Sequence, residues 1–200
     1  MNARDFLKTW DRFRKRSEFI SENWGKNKEW VQWIIGSAKA STTHSPLGNE
    51  LAMPYRSEEW KIDLVTSSHG NATYIDIADG SASTLEHFQP VLYDVLIEHE
   101  NNIGWCHEEM LKLVCMRARL KVLITYNFDY DTEKAQKALG YSVQQFDGIV
   151  NDSNERYPEN SDTEYVYIIG RRIDPMEIEW RYFLRAAMGK FEEVSSNSNK

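Results

Sequence analysis

The stretch YDVLIEHENNIGWCHEEMLKLVCMRARLKVLITY, residues 93–126, decides the fold. It belongs to an apolar run, Val91 to Glu100, of strand length and apolar at both parities. It closes on KVLITY, Lys121–Tyr126, which is nearly all apolar. Between them Met110, Leu111, Val114, Cys115 and Ala118 form an apolar stripe that predicts a helix over 107–119. A helix joining two strands that are apolar on both faces is a crossover between parallel, right-handed neighbours. Such strands lie in the middle of a sheet covered by helices. The prediction is an α/β fold with a central mixed β-sheet flanked by helices, antiparallel at its start and parallel at its end.

Working upstream, WKIDLVTS (60–67) and TYIDIA (73–78) are β-rich, with the turn residues Ser68, His69, Gly70 and Asn71 between them. They read as a hairpin. A short turn of helix or a strand is expected around Gly48–Tyr55. Residues 2–22 read as a helix through Phe6, Leu7, Trp10, Phe13 and Ile20, and a second helix runs from Glu29 to about Lys39. These two make an N-terminal helical pair. Downstream, Asp131 or Thr132 caps a helix that Gly140 ends. Residues 147–164 read as a polar loop, Tyr165–Gly170 as a strand and 175–193 as a last helix. The expected organisation is an N-terminal helical region (1–40) packed on an α/β domain (41–194), followed by a disordered tail (195–200).

The composition bounds the function. At 200 residues with 41% apolar content the chain is one domain with enough material for a core. No stretch approaches the ~18 consecutive apolar residues of a membrane span. Charges fill the N-terminal segment where a signal peptide is apolar, so a cytoplasmic protein is expected. Cys106 and Cys115, with no second pair, exclude a disulfide scaffold and a cysteine zinc site, and both are expected as buried helix thiols. There is no Gly-rich phosphate loop and no Gly-x-Ser-x-Gly, so kinase, ATPase and serine-hydrolase readings have no support. The net charge of -7 is uneven: residues 1–40 hold nine Lys/Arg and five Asp/Glu, net +4, which leaves -11 for the rest. The densest basic run is Arg12, Arg14, Lys15 and Arg16. It reads either as a solvated helix face or as a patch that contacts nucleic-acid phosphates.

The acids of the deciding stretch carry the chemistry. Alternation along a strand puts Asp94, Leu96, Glu98 and Glu100 on one face. Paired carboxylates at the end of a central strand repel each other and lose hydration, so something positive must stand beside them. An Arg or Lys from a neighbouring element suffices; so does a divalent cation held by oxygen ligands, Mg²⁺ or Mn²⁺. Upstream, Lys61 and Asp63 share one face of KIDLV, and if the strands pair, Asp63, Glu98 and Glu100 converge. His99 points to the opposite face and is expected to be packed, and His107 to sit at a helix N-terminus.

A helix, strands with the acid of Ile-Asp-Leu-Val, an apolar strand ending in Glu-x-Glu, a helix and then KVLITY: over roughly residues 45–130 this order resembles the PD-(D/E)XK, or restriction-endonuclease-like, nuclease core. The resemblance implies that Asp63 is the family's Asp, with Asp76 competing for that role, and that Glu98 is its paired acid. Glu100 stands where the family usually has Lys. Lys61 beside Asp63, or Lys112 on the following helix, would supply the missing positive charge, and Glu50 would be the Glu of the preceding helix. Lys112 also has Glu108 at i–4, an ordinary surface ion pair. The resemblance further implies Mg²⁺- or Mn²⁺-dependent phosphodiester hydrolysis, with Asp63, Glu98 and Glu100 as metal ligands. DNA is the expected partner, with RNA left open and a homodimer as a further candidate assembly. The rival reading is a binding or interaction module that keeps the fold without turnover; Glu100 and the acidic 147–164 segment favour it.

Overall fold

The computed structural model describes residues 1–15, 34–35, 45–53, 55–59, 62–66, 73–75, 82–84, 93–126, 132–158, 162–174 and 177–195. The strands β1 (Tyr55–Glu59), β2 (Ile62–Thr66), β5 (Tyr93–Glu100), β6 (Ala118–Thr125), β7 (Glu164–Asp174), β8 (Glu177–Ala186) and β9 (Glu192–Val194) form a seven-stranded sheet in the order β1-β2-β5-β6-β7-β8-β9. Strands β5, β6 and β7 are mutually parallel and every other pairing is antiparallel. The molecule is thus an α/β protein with a central mixed sheet, and its parallel heart is the β5–helix–β6 unit. Tyr93–His99 are all buried, because this strand is covered on both faces.

One face of the sheet carries helix α1 (Ala3–Lys15) and helix α2 (Pro46–Leu51). Phe6, Leu7, Trp10 and Phe13 of α1 and Leu47 and Leu51 of α2 bury against Leu64, Val95, Ile97, Val122 and Ile168. The start of α1 is tied to the sheet, since the Ala3 N–H donates to Glu164 Oε2 at 2.8 Å. Its far end is tied by Tyr182 O–H, which donates to Asp11 Oδ1 at 3.0 Å. The other face carries α3 (Cys106–Val114) and α4 (Thr132–Arg156) over a second core that includes Val65, Leu96, Leu123, Tyr165 and Phe183.

Several expectations are corrected. β2 does not pair with the 73–78 run: it pairs with β1 and β5, while β3 (Thr73–Ile75) pairs with β4 (Ala82–Thr84) in a separate two-stranded ribbon. Helix α3 ends at Val114, and Ala118 already belongs to β6. Gly140 does not stop its helix. The cost of an exposed glycine in a helix, about 1 kcal/mol, is outweighed by burial of Leu139, Phe146 and Val150 on the same helix. The segment from 147 is not a loop, because α4 continues to Arg156. Its Asp147 forms an ion pair with the fully buried Arg185, and Arg185 Nη2 donates to Asn151 Oδ1 at 2.7 Å. Residues 175–193 are not a helix: Ile178, Trp180, Tyr182 and Leu184 alternate onto the α1 face of β8, the period of a strand. Cys106 is buried as expected, but Cys115 is exposed. The helix expected over 29–39 lies outside the described residues except for Ile34 and Ile35, which are buried in the α1-side core.

Candidate functional site

The site grows from the strand alternation of β5. Leu96 points into the α3–α4 core, so Glu98 points the same way, beneath α3, with only 1% of its surface exposed. The antiparallel register Leu64↔Ile97 puts Asp63 next to Glu98 across the strands. The Asp63 carboxylate accepts the backbone N–H of His99 at 2.7 Å through Oδ2. The two acids are therefore adjacent, the outcome that the sequence made conditional on the pairing of their strands.

The positive charge comes from α3. Lys112 Nζ lies 3.5 Å from Glu98 Oε1 and forms a second ion pair with Glu109. The expected partner was Glu108, but a helix turned with Cys106, Met110 and Leu113 toward the sheet brings Glu109 and Lys112 to the Glu98 side. Glu109 is the site residue absent from the sequence-based set. Its i,i+3 spacing to Lys112 was the available signal, and only the rotation of α3 over β5 decides between it and Glu108.

Electrostatics at Glu98 follow from this enclosure. Burial, with the negative charges of Asp63 and Glu109 beside it and only Lys112 opposing, pushes its carboxyl up to about 10. Glu98 Oε1 is buried, with the Lys112 ammonium 3.5 Å away as the positive charge that faces it. Lys112 is held above its usual range: burial works against the ammonium, and the hydrogen bond to Glu109 and the charges of Glu98, Glu109 and Asp63 outweigh it.

Other predicted site residues lie elsewhere. The Glu100 carboxylate turns to the following loop, where its Oε1 accepts the Asn102 N–H at 2.7 Å. Its charge is felt at Cys106 and Tyr126 instead of at Glu98. Asp63, Glu98 and Glu100 thus do not converge as one ligand set. Glu50 lies on α2, whose Leu47 and Leu51 pack into the core on the opposite face of the sheet from Glu98. Lys61, Asp76 and Arg16 lie outside the described residues. Arg12 and Lys15 are exposed on α1, and Arg14 Nε is paired with Asp11 Oδ1 at 2.6 Å. All three belong to the helix that covers the other face, so the sheet stands between this basic run and the acidic pair. His99, as expected, is packed, its ring 5.1 Å from that of Tyr126.

A divalent cation is what the resemblance implies here, and the residues accommodate it in part. Among the described residues no group of three or more His, Cys, Asp or Glu side chains could hold a metal ion. What remains is a pair, Asp63 and Glu98, with one Glu98 oxygen buried and facing the Lys112 ammonium at 3.5 Å. Two carboxylates match Mg²⁺, which keeps several waters and is commonly bound through one or two carboxylates plus phosphate oxygens. Chemically, the arrangement offers paired acids, an ammonium group and a second acid on the adjoining helix. Comparison of the chain with protein-family models, with curated proteins and with solved structures gave no match.

Proposed function

We infer that this chain is a divalent-metal-dependent nuclease that hydrolyses phosphodiester bonds, with DNA as substrate in a cytoplasmic setting. One observation carries the reading: Asp63 and Glu98 stand side by side at the end of the central strands with Lys112 Nζ 3.5 Å from Glu98. This is the pairing that the resemblance to the PD-(D/E)XK core implies, with Lys112 in place of the lysine that Glu100 displaces. In this reading Asp63 and Glu98 hold Mg²⁺ or Mn²⁺. When bound, the ion would activate a water and neutralise charge on the phosphate. Lys112 places its ammonium where the phosphate would lie, and Glu109 fixes that ammonium through their ion pair. No helix among the described residues is long and apolar enough to cross a membrane.

The second reading is a non-catalytic binding module. It is favoured by the 1% exposure of Glu98 and by a lysine already beside it, which together satisfy the acid without a cation. One experiment separates the two. The chain is incubated with plasmid, single-stranded DNA and RNA in Mg²⁺, Mn²⁺ or EDTA, alongside Glu98→Gln and Asp63→Asn. The nuclease reading expects metal-dependent cleavage that both substitutions abolish. A wild-type melting temperature indifferent to millimolar Mn²⁺, with no cleavage of any substrate, would overturn the nuclease reading.

A further inference from the structure

The loop between β5 and α3 carries a tryptophan whose exposure packing does not explain. Trp105 is 55% exposed, although an indole is among the costliest apolar surfaces to leave in water. Its backbone is nevertheless fixed. The Trp105 N–H donates to Asn102 O at 2.9 Å, Gly104 N–H donates to Asn102 Oδ1 at 2.9 Å, and Asn102 N–H donates to Glu100. The ring is mounted on an ordered turn that begins at Glu100.

Trp105 has helical backbone angles, φ -105° and ψ -7°, so it continues the spiral of α3 backward by one residue. Helical spacing then sets Trp105, Glu109 and Lys112 on one stripe. Glu109 and Lys112 of that stripe are the groups that meet at Glu98. At about 1.5 Å of rise per residue, Trp105 and Lys112 are separated by about 10 Å of helix. Side chains of one helix lean the same way, toward its N-terminus, so the ring and the ammonium keep about that spacing. A spacing of that order suits one nucleotide, its phosphate facing the ammonium and its base the ring.

Resting on the nuclease reading above, we propose that Trp105 is a base-stacking residue and that the substrate is single-stranded DNA or an unpaired DNA end. An unpaired base lies on the indole while its phosphate faces Lys112. A duplex keeps its bases stacked on one another and offers no free face; a single strand does. Stacking on an aromatic ring tolerates any base, so this contact selects strand state without selecting sequence.

Binding of the chain to a labelled oligothymidylate and to a labelled blunt-ended duplex of two strands is measured by fluorescence anisotropy in EDTA, where no cleavage occurs. Trp105→Ala is expected to weaken oligothymidylate binding by about tenfold to a hundredfold and to leave binding of the blunt-ended duplex unchanged. Trp105→Phe should retain most of the affinity, and the exposed position should leave the melting temperature where it was. A Trp105→Ala chain that binds oligothymidylate as wild type does, or a wild type that does not bind it, overturns the assignment. The two readings fail separately. Loss of binding in Trp105→Ala with no cleavage by wild type in Mn²⁺ keeps the stacking site and removes the nuclease. Metal-dependent cleavage with unchanged binding in Trp105→Ala does the reverse.

Discussion

Asp63 and His99 are joined across the border of β2 and β5 by one bond, in which Asp63 Oδ2 accepts the His99 backbone N–H at 2.7 Å. The backbone register of these strands runs from Thr66↔Val95 to Leu64↔Ile97. Beyond it, the Asp63 side chain takes over as acceptor. The same carboxylate that closes the strand pairing also presses its charge on Glu98, so strand geometry and site electrostatics share one residue.

Replacing Asp63 separates those roles. Asp63→Asn keeps an oxygen for the His99 N–H and removes the charge, so stability should hold and the Glu98 carboxyl should fall back toward its usual range. Asp63→Ala leaves the N–H without an acceptor and should cost about 1–3 kcal/mol. Urea unfolding of both variants, with hydrogen exchange at the His99 amide, checks the difference.

The raised Glu98 carboxyl makes stability depend on pH. Folding holds its proton from about 4.5, the ordinary value, up to about 10. The stability it contributes is fully present below the ordinary value and is lost as pH rises toward the folded one, by on the order of 1 kcal/mol per pH unit. Glu98→Gln removes this titration. The variant is expected to gain on wild type as pH rises across the window, and urea midpoints at the two ends of it measure the gain.

His99 gives the opposite slope. Its ring is buried, and that burial lowers its pKa to about 3. The unfolded chain binds a proton near 6.5 that the folded chain refuses, so stability falls as pH drops from 6.5 toward about 3. His99→Phe keeps a ring against Tyr126 and removes the proton. Its stability should fall less steeply over that window, as followed by thermal melts at stepped pH.

Gly170 is required by a neighbour's ring. It pairs with Trp180, and a Cβ added to Gly170 would come within 2.7 Å of the Trp180 indole. That indole packs edge-on against Trp10 of α1, with ring centroids 5.2 Å apart. Gly170→Ala should therefore displace Trp180 and cost about 1–3 kcal/mol as overpacking. Adding Trp180→Leu removes the clash, so the double variant should lose less than the sum of the single losses in a denaturation cycle.

How much was legible in the sequence depended on whether a signal was local. The β5–α3–β6 unit was readable because its strands are buried on both faces, and buried parallel strands show as unbroken apolar runs. The Asp63–Glu98 pair was readable because strand alternation fixes a face before any partner is known. Partner choice was not: the turn residues 68–71 suggested a hairpin, yet β2 takes β1 and β5 as neighbours. The β8 strand was hidden because Glu, Arg and Leu among its residues are good helix formers, although Ile178, Trp180, Tyr182 and Leu184 already carried a period of two. The roles of Glu109 and Lys112 depended on how α3 is rotated over the sheet, and packing sets that rotation.

The sheet is open, so its outer strands govern whether copies of the chain can extend one another. One outer strand, β9, is only Glu192–Val194, and Arg181 clasps Glu193 through two hydrogen bonds, at 2.7 and 2.6 Å. The other, β1, reads Tyr-Arg-Ser-Glu-Glu. Brevity at one border and charge at both deny an incoming strand a long apolar template. Among the described residues, such borders disfavour the edge-to-edge growth that leads to amyloid.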